Sequence, residues 1–376
     1  MERDTDTMDD ERPERPLSPT TRRSFVGRSA GAFAAVSGGS MLLAACGGDD
    51  DNDAAGGGSA STSESSGGGG GGGTVQVVNI LPPKLGYAAE LIADMDGYFK
   101  KEGLTVKVNT ARGSAPAIQA ILSGTALLSW VGWLESVIAI ANRGAPIQAV
   151  AFTGRRSTLK LVSDKGNPMT TPQDLVGQRI GIPSEGGTSE TTLDLMLANS
   201  GIDPKKVQRQ VTGFTPGTFE LIKRKRIAGF IIGGSQEQQF REAQPTSVFL
   251  ETAKYVQDGL TYITSPDGIK NNKPQIEAYM RALKGAMLQI VDDGPEYTDT
   301  IKKLRSKYDF PELKSDTVAK YYLKYNTDNW MLDGREKLLK VDKEKWQATY
   351  DAAVKVKAAK AGVDVTNNVV EGMTPA

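Results

Sequence analysis

Between Val75 and Thr264 short apolar runs alternate with stretches of helical period, and that rhythm leaves few folds open. Strands that alternate with helices are joined most simply as parallel strands with crossover helices, so the pattern predicts an α/β fold. The series opens with "VQVVNI", the loop "LPPKLGY" and the helix "AAELIADM". "TVKVN" follows as a strand. Ser114 then stands as N-cap of "APAIQAILSG", whose Ala117, Ile118, Ile121 and Leu122 share a face and whose Gly124 ends the helix. "ALLSWVGW", "LESVIAIANRG" and "IQAVAF" complete a first set. "STLKLVSDK" carries the chain away, and a second set begins with Thr171 and Pro172 as a helix start, then "QRIGIP", the turn "EGGTSE" and "TTLDLMLANSG". "VQRQVT", "GTFELIKRKR" and "IAGFII" continue it, "LTYIT" returns, and the sequence after Lys273 is helical by period. The expectation is two α/β lobes with a cleft between them and a helical C-terminal segment. One lobe comprises 74–157 plus 266–376, the other 158–265, and the hinge lies in the two crossing runs. Roughly 300 residues is a length that ordinarily divides this way.

The sequence before Val75 is of another kind. The chain has one cysteine and no histidine, which rules out an intrachain disulfide and a Cys/His zinc site. Cys46 follows a basic patch "TTRRSFVGR", an apolar run too short and small-residue-rich for a stable span, and "LAAC". The patch resembles a twin-arginine export signal and "LAAC" a lipobox, so residues 1–45 are expected to be a signal peptide and Cys46 a lipid-modified anchor at an extracytoplasmic membrane face. Residues 46–73 lack large apolar side chains and form a tether, with a typical reach of about 30 Å.

Charge excludes little but disfavours nucleic acid. The 45 basic and 45 acidic residues cancel, and the acidic excess of the N-terminal part leaves the body mildly basic, with no interleaving of aromatic and basic residues. No nucleophile with a base, metal cluster or paired catalytic carboxylates is evident, so neither cofactor nor metal is expected.

"IADMDGYFKKEGLTVKV", "GSAPAIQAILSG", "DLVGQRIGIP", "LDLMLANSGID" and "ELIKRKRIAGFI" resemble, in that order, the solute-binding proteins of ABC importers for nitrate, taurine, alkanesulfonates and thiamine-type pyrimidines. The resemblance covers roughly 75–359. It departs at Leu127 and Ala228, where the family usually has aspartate. It implies a type II periplasmic-binding-protein fold, a monomer that captures a small planar or anionic solute, ABC permease subunits as partners, and no enzymatic activity. Alternatives are an enzyme of the same fold and a lipid-anchored sensor.

Ligands of such sheets bind beyond the carboxyl ends of the strands, where helix N-termini converge. The candidates are Lys84 and Tyr87 after the first strand, Arg112 and Ser114 after the second, and Trp130 and Trp133 after the third. In the second lobe they are Gly187, Thr188, Ser189 and Gln236. The tryptophans could stack on a planar ligand or fill core. Arg112 could pair with an acidic ligand group or be an ordinary surface arginine. The "GGTS" turn could offer N–H groups to an anion or simply start a helix. Trp330 and Trp346 read as packing residues of the helical tail.

Overall fold

The computed structural model describes residues 73–183 and 185–374. The export signal, Cys46 and nearly all of the tether lie outside the described residues. The first set of elements is β1 (Gly73–Asn79), α1 (Ala88–Met95), α2 (Tyr98–Lys101), β2 (Leu104–Thr110), α3 (Ser114–Leu122), β3 (Leu128–Gly132), α4 (Trp133–Arg143) and β4 (Gln148–Gly154). The second is β5 (Leu159–Asp164), β6 (Arg179–Ile182), α5 (Thr188–Asn199), β7 (Gln208–Val211), α6 (Phe219–Lys223), β8 (Gly229–Gly233), α7 (Glu237–Ala243) and β9 (Ser247–Glu251). After β10 (Leu260–Thr264) come α8 (Pro266–Asp292), α9 (Thr298–Lys307), α10 (Asp316–Trp330) and α11 (Lys343–Lys355).

These strands form two five-stranded sheets, ordered β2-β1-β3-β10-β4 and β7-β6-β8-β5-β9. The two orders are the same pattern used twice. In each sheet the fourth strand is the one that has just crossed from the other set, and it runs antiparallel to both neighbours. The remaining ladders are parallel. Buried strands read as unbroken apolar runs because helices cover both faces, as in β4, whereas the edge strand β2 is mostly exposed.

The sheet order corrects the sequence boundary at 265. β10 is hydrogen-bonded between β3 and β4 of the first sheet, so the second sheet ends at β9. The runs "STLKLVSDK" and "LTYIT" are interior strands, and the links between the sheets are 155–158 and 252–259. The two links touch, with the hydroxyls of Ser157 and Thr252 2.9 Å apart. The helical tail also begins earlier than its period suggested. α8 starts at Pro266, capped by Ser265, and is kinked at Asn272 because Pro274 has no N–H to continue the ladder.

Candidate ligand-binding site

A cavity of about 220 Å³ lies between the two sheets, where their carboxyl-end loops meet α10. From the first sheet it takes Lys84, Ser114 and Trp130; from the second, Gly187, Thr188, Ser189 and Gln236. Three sequence candidates are not in its wall. Tyr87 is buried behind Trp130, edge-on to the indole with ring centroids 5.1 Å apart, and its hydroxyl accepts the Leu81 N–H at 3.1 Å. Arg112 is exposed and outside the lining. Trp133 is fully buried, because β3 stops at Gly132 and the helical turn that follows swings the next side chain into the core. There it packs 4.3 Å from Phe152 and 6.5 Å from Trp346 by ring centroid. Gly259 completes that packing, since a Cβ at this position would come within 2.5 Å of the indole.

Trp130 presents its ring to the cavity because two neighbours fix it. Tyr87 supports one side, and the indole N–H donates to Thr153 Oγ1 at 2.8 Å. Gln236 is held in a similar way, accepting the Gly233 N–H at 3.1 Å and donating to the Phe214 carbonyl at 3.4 Å. Lys84 Nζ lies 5.9 Å from the centroid of Phe214 across the cavity, and burial lowers its pKa, opposed in part by Glu312.

Sequence reasoning missed the α10 face of the cavity: Tyr322, Tyr325, Asn326, Asn329 and Trp330. Their spacing of three, one, three and one is one stripe of a helix, so the period was available as a signal. Trp330, read as a packing residue, lines the cavity as well. Asn326 Nδ2 is buried without a hydrogen-bond partner among the described residues and Asn329 Oδ1 accepts the Arg155 N–H at 2.9 Å. Also missed was Asp258, in the second link, whose Oδ1 accepts the N–H groups of Leu134 at 3.2 Å and Gly259 at 2.7 Å. It thereby caps the N-terminus of α4. Burial, and then the neighbouring Glu135, push its carboxyl up to about 8, and burial pushes Glu135 up to about 6. α10 also braces the second sheet. Tyr321 donates to Glu237 at 2.9 Å, and the same carboxylate lies 2.5 Å from Lys160.

The "GGTS" turn starts α5 as expected, and acids of the chain face two of its donors. Gly186 N–H donates to Glu190 at 2.6 Å, and the Thr188 hydroxyl stands beside the Glu135 carboxylate.

A family model described as NMT1/THI5 like matches residues 86–296, more than half of the chain. The protein belongs to the NMT1/THI5-like family. Among curated relatives, this NMT1/THI5-like protein is 22% identical over 280 residues to the formylaminopyrimidine-binding protein of Halalkalibacterium halodurans, covering 73% of this chain and 82% of the relative. It is 28% identical over 136 residues to the riboflavin-binding protein RibY of Chloroflexus aurantiacus, covering 35% of this chain and 38% of that one. Its fold is that of the alkanesulfonate-binding protein SsuA from Xanthomonas axonopodis pv. citri, with a TM-score of 0.63, 14% identity, and 80% and 98% of the two chains covered. The two-lobe periplasmic-binding-protein architecture is therefore shared.

Proposed function

We propose that this NMT1/THI5-like protein is the extracytoplasmic solute-binding component of an ABC importer, tethered by a lipid on Cys46, and that it captures a small planar solute between its lobes. The observation that carries this reading is the cavity itself. It is enclosed by both sheets, floored by polar groups and walled by Trp130, Phe214, Tyr325 and Trp330, the composition of a site for a flat, partly polar molecule. The curated relatives matched are named for binding heterocycles and a structural neighbour for binding sulfonates, which supports capture rather than catalysis. Lys84, Ser114, Trp130, Gly187, Thr188, Ser189 and Gln236 are the ligand contacts in this reading. The links 155–158 and 252–259 act as its hinge.

The test is to purify the protein from its own host under native conditions, denature it and identify what is released. One small planar compound at close to one per chain supports the reading. Release of nothing, together with no thermal stabilisation by any member of a broad metabolite set, overturns it. The anchor is tested separately: Cys46→Ser should move the protein out of the membrane fraction, and retention at high salt would count against acylation.

A further inference from the structure

Two carboxylates of the cleft are buried, and only one of them, Asp258, serves the fold as a helix cap. Glu135, in the first turn of α4, is 7% exposed, and Asp258, in the second link, is 4% exposed. Asp258 is part of the cavity wall. Glu135 lies against three other wall residues. A Cβ built on Gly132 would come 2.5 Å from its Oε2 and 3.5 Å from Thr188 Oγ1, and Ser114 faces the same carboxylate. The hydroxyls of Thr188 on α5 and Ser114 on α3 stand close enough to stabilise it in part, yet neither Glu135 oxygen has a hydrogen bond of normal geometry among the described residues. No lysine or arginine among the described residues contributes to the balance of either acid. Lys84, the lysine of the cavity wall, has Glu312 as its counter-charge instead.

Two buried acids side by side without a cation are costly unless one holds a proton or a ligand supplies positive charge. Because they adjoin the cavity, the ligand can do so. We propose that Glu135 and Asp258 form an acceptor subsite for a ligand group carrying paired N–H donors and positive charge, of the amidine, guanidine or protonated ring-nitrogen type. This rests on the solute-capture reading and narrows it. The planar solute presents its N–H edge to the acids while its flat faces meet the aromatic wall. Sulfonate and nitrate groups are disfavoured, because two carboxylates, Glu135 and Glu190, stand at the start of α5. Asn326 Nδ2, unpartnered in the α10 wall, is left to donate to an acceptor elsewhere on the same ligand.

The experiment uses three flat probes of similar size, benzamidine, benzamide and benzenesulfonate, titrated calorimetrically into the full-length protein after removal of any bound solute. Benzamidine should bind, benzenesulfonate should not, and benzamide should be at least tenfold weaker than benzamidine. Since the cation displaces a proton held by the acid pair, benzamidine affinity should rise with pH between about 6 and 8, by up to about tenfold per unit. Glu135→Gln and Asp258→Asn, isosteric changes checked for folding by thermal unfolding, should each weaken benzamidine at least tenfold and flatten its pH dependence. Benzenesulfonate binding in place of benzamidine overturns the subsite and leaves solute capture standing. So does benzamidine binding that both variants leave unchanged. No response to any of the three also overturns the subsite, and solute capture is then decided by the released-compound experiment.

Discussion

Glu90 and the Glu135–Asp258 pair are buried to a similar degree, but their surroundings treat them differently. Glu90, behind the first sheet, is met on all sides by donors. Asn79 Nδ2 lies 2.6 Å from one oxygen, and the hydroxyls of Tyr262 and Tyr279 donate to the other, the second at 3.0 Å. The cleft pair receives two backbone N–H groups on Asp258 and no hydrogen bond of normal geometry on Glu135. Burial raises the pKa of all three acids, and hydrogen bonds oppose it in part at each. A buried polar group that the fold completes is architecture. One that the fold leaves incomplete beside a cavity waits for something to arrive.

The comparison breaks first at Glu90 if it is wrong. Glu90→Ala strands two tyrosine hydroxyls and an amide in the core, and should cost about 3 kcal/mol or more in urea unfolding. A loss under about 1 kcal/mol would place Glu90 in the same class as the cleft acids. Next in size is the pH dependence. Glu135 and Asp258 keep protons in the folded protein at pH values where the unfolded chain has lost them, so their contribution is complete below about pH 4. It declines as pH rises to about 8, at no more than about 1.4 kcal/mol per unit for each proton. Unfolding measured across that range should show the decline, and Asp258→Asn should remove its upper limb; a stability that increased from pH 6 to 8 would contradict the assignment. Tyr279→Phe removes one of the three Glu90 donors and should cost about 1 kcal/mol by the same denaturation assay. The smallest loss is expected for Glu135→Gln, which replaces an unsatisfied acid with an isostere and should lower stability at pH 7 by less than about 1 kcal/mol, if at all. A large loss there would show that the fold, rather than a ligand, uses that carboxylate.

Much of the fold was legible because the period of the apolar residues changes cleanly from strand to helix through the first and second sets, and family-like runs kept their order. The placement of individual side chains was less so. Trp130 and Trp133 lie three residues apart, and the change from strand to helix after Gly132 sets Trp130 in the cavity wall and Trp133 in the core. Arg112 stands immediately before the glycine with φ 102 that opens α3, and the turn leaves it in solvent while Ser114 points inward. Asp258 and the α10 stripe lie far along the chain from the loops they join. Their meeting is a product of tertiary packing, which no local pattern announces. The start of α5 was legible from its glycines, but of the two acids beside it only Glu190 is local, and Glu135 comes from α4, some fifty residues earlier.

The repeated strand order sets an asymmetry in time. The second sheet is assembled from one continuous stretch, 159–251, whereas the first sheet needs β10, made only after the second is complete. Until then β4 has no partner in its sheet. Among the described residues its other side is met only by isolated bridges from Leu339 and Val369, which emerge later still. A buried strand with neither edge paired cannot hold its place, since each of its amides would be left without a partner. The second lobe can therefore close its ladder first, as an insert within an unfinished host, and the first lobe must wait for nearly the whole chain before it becomes stable. Pulse-labelled hydrogen exchange during refolding should find β5, β6 and β8 protected ahead of β4, and simultaneous protection would show that the two sheets condense as one.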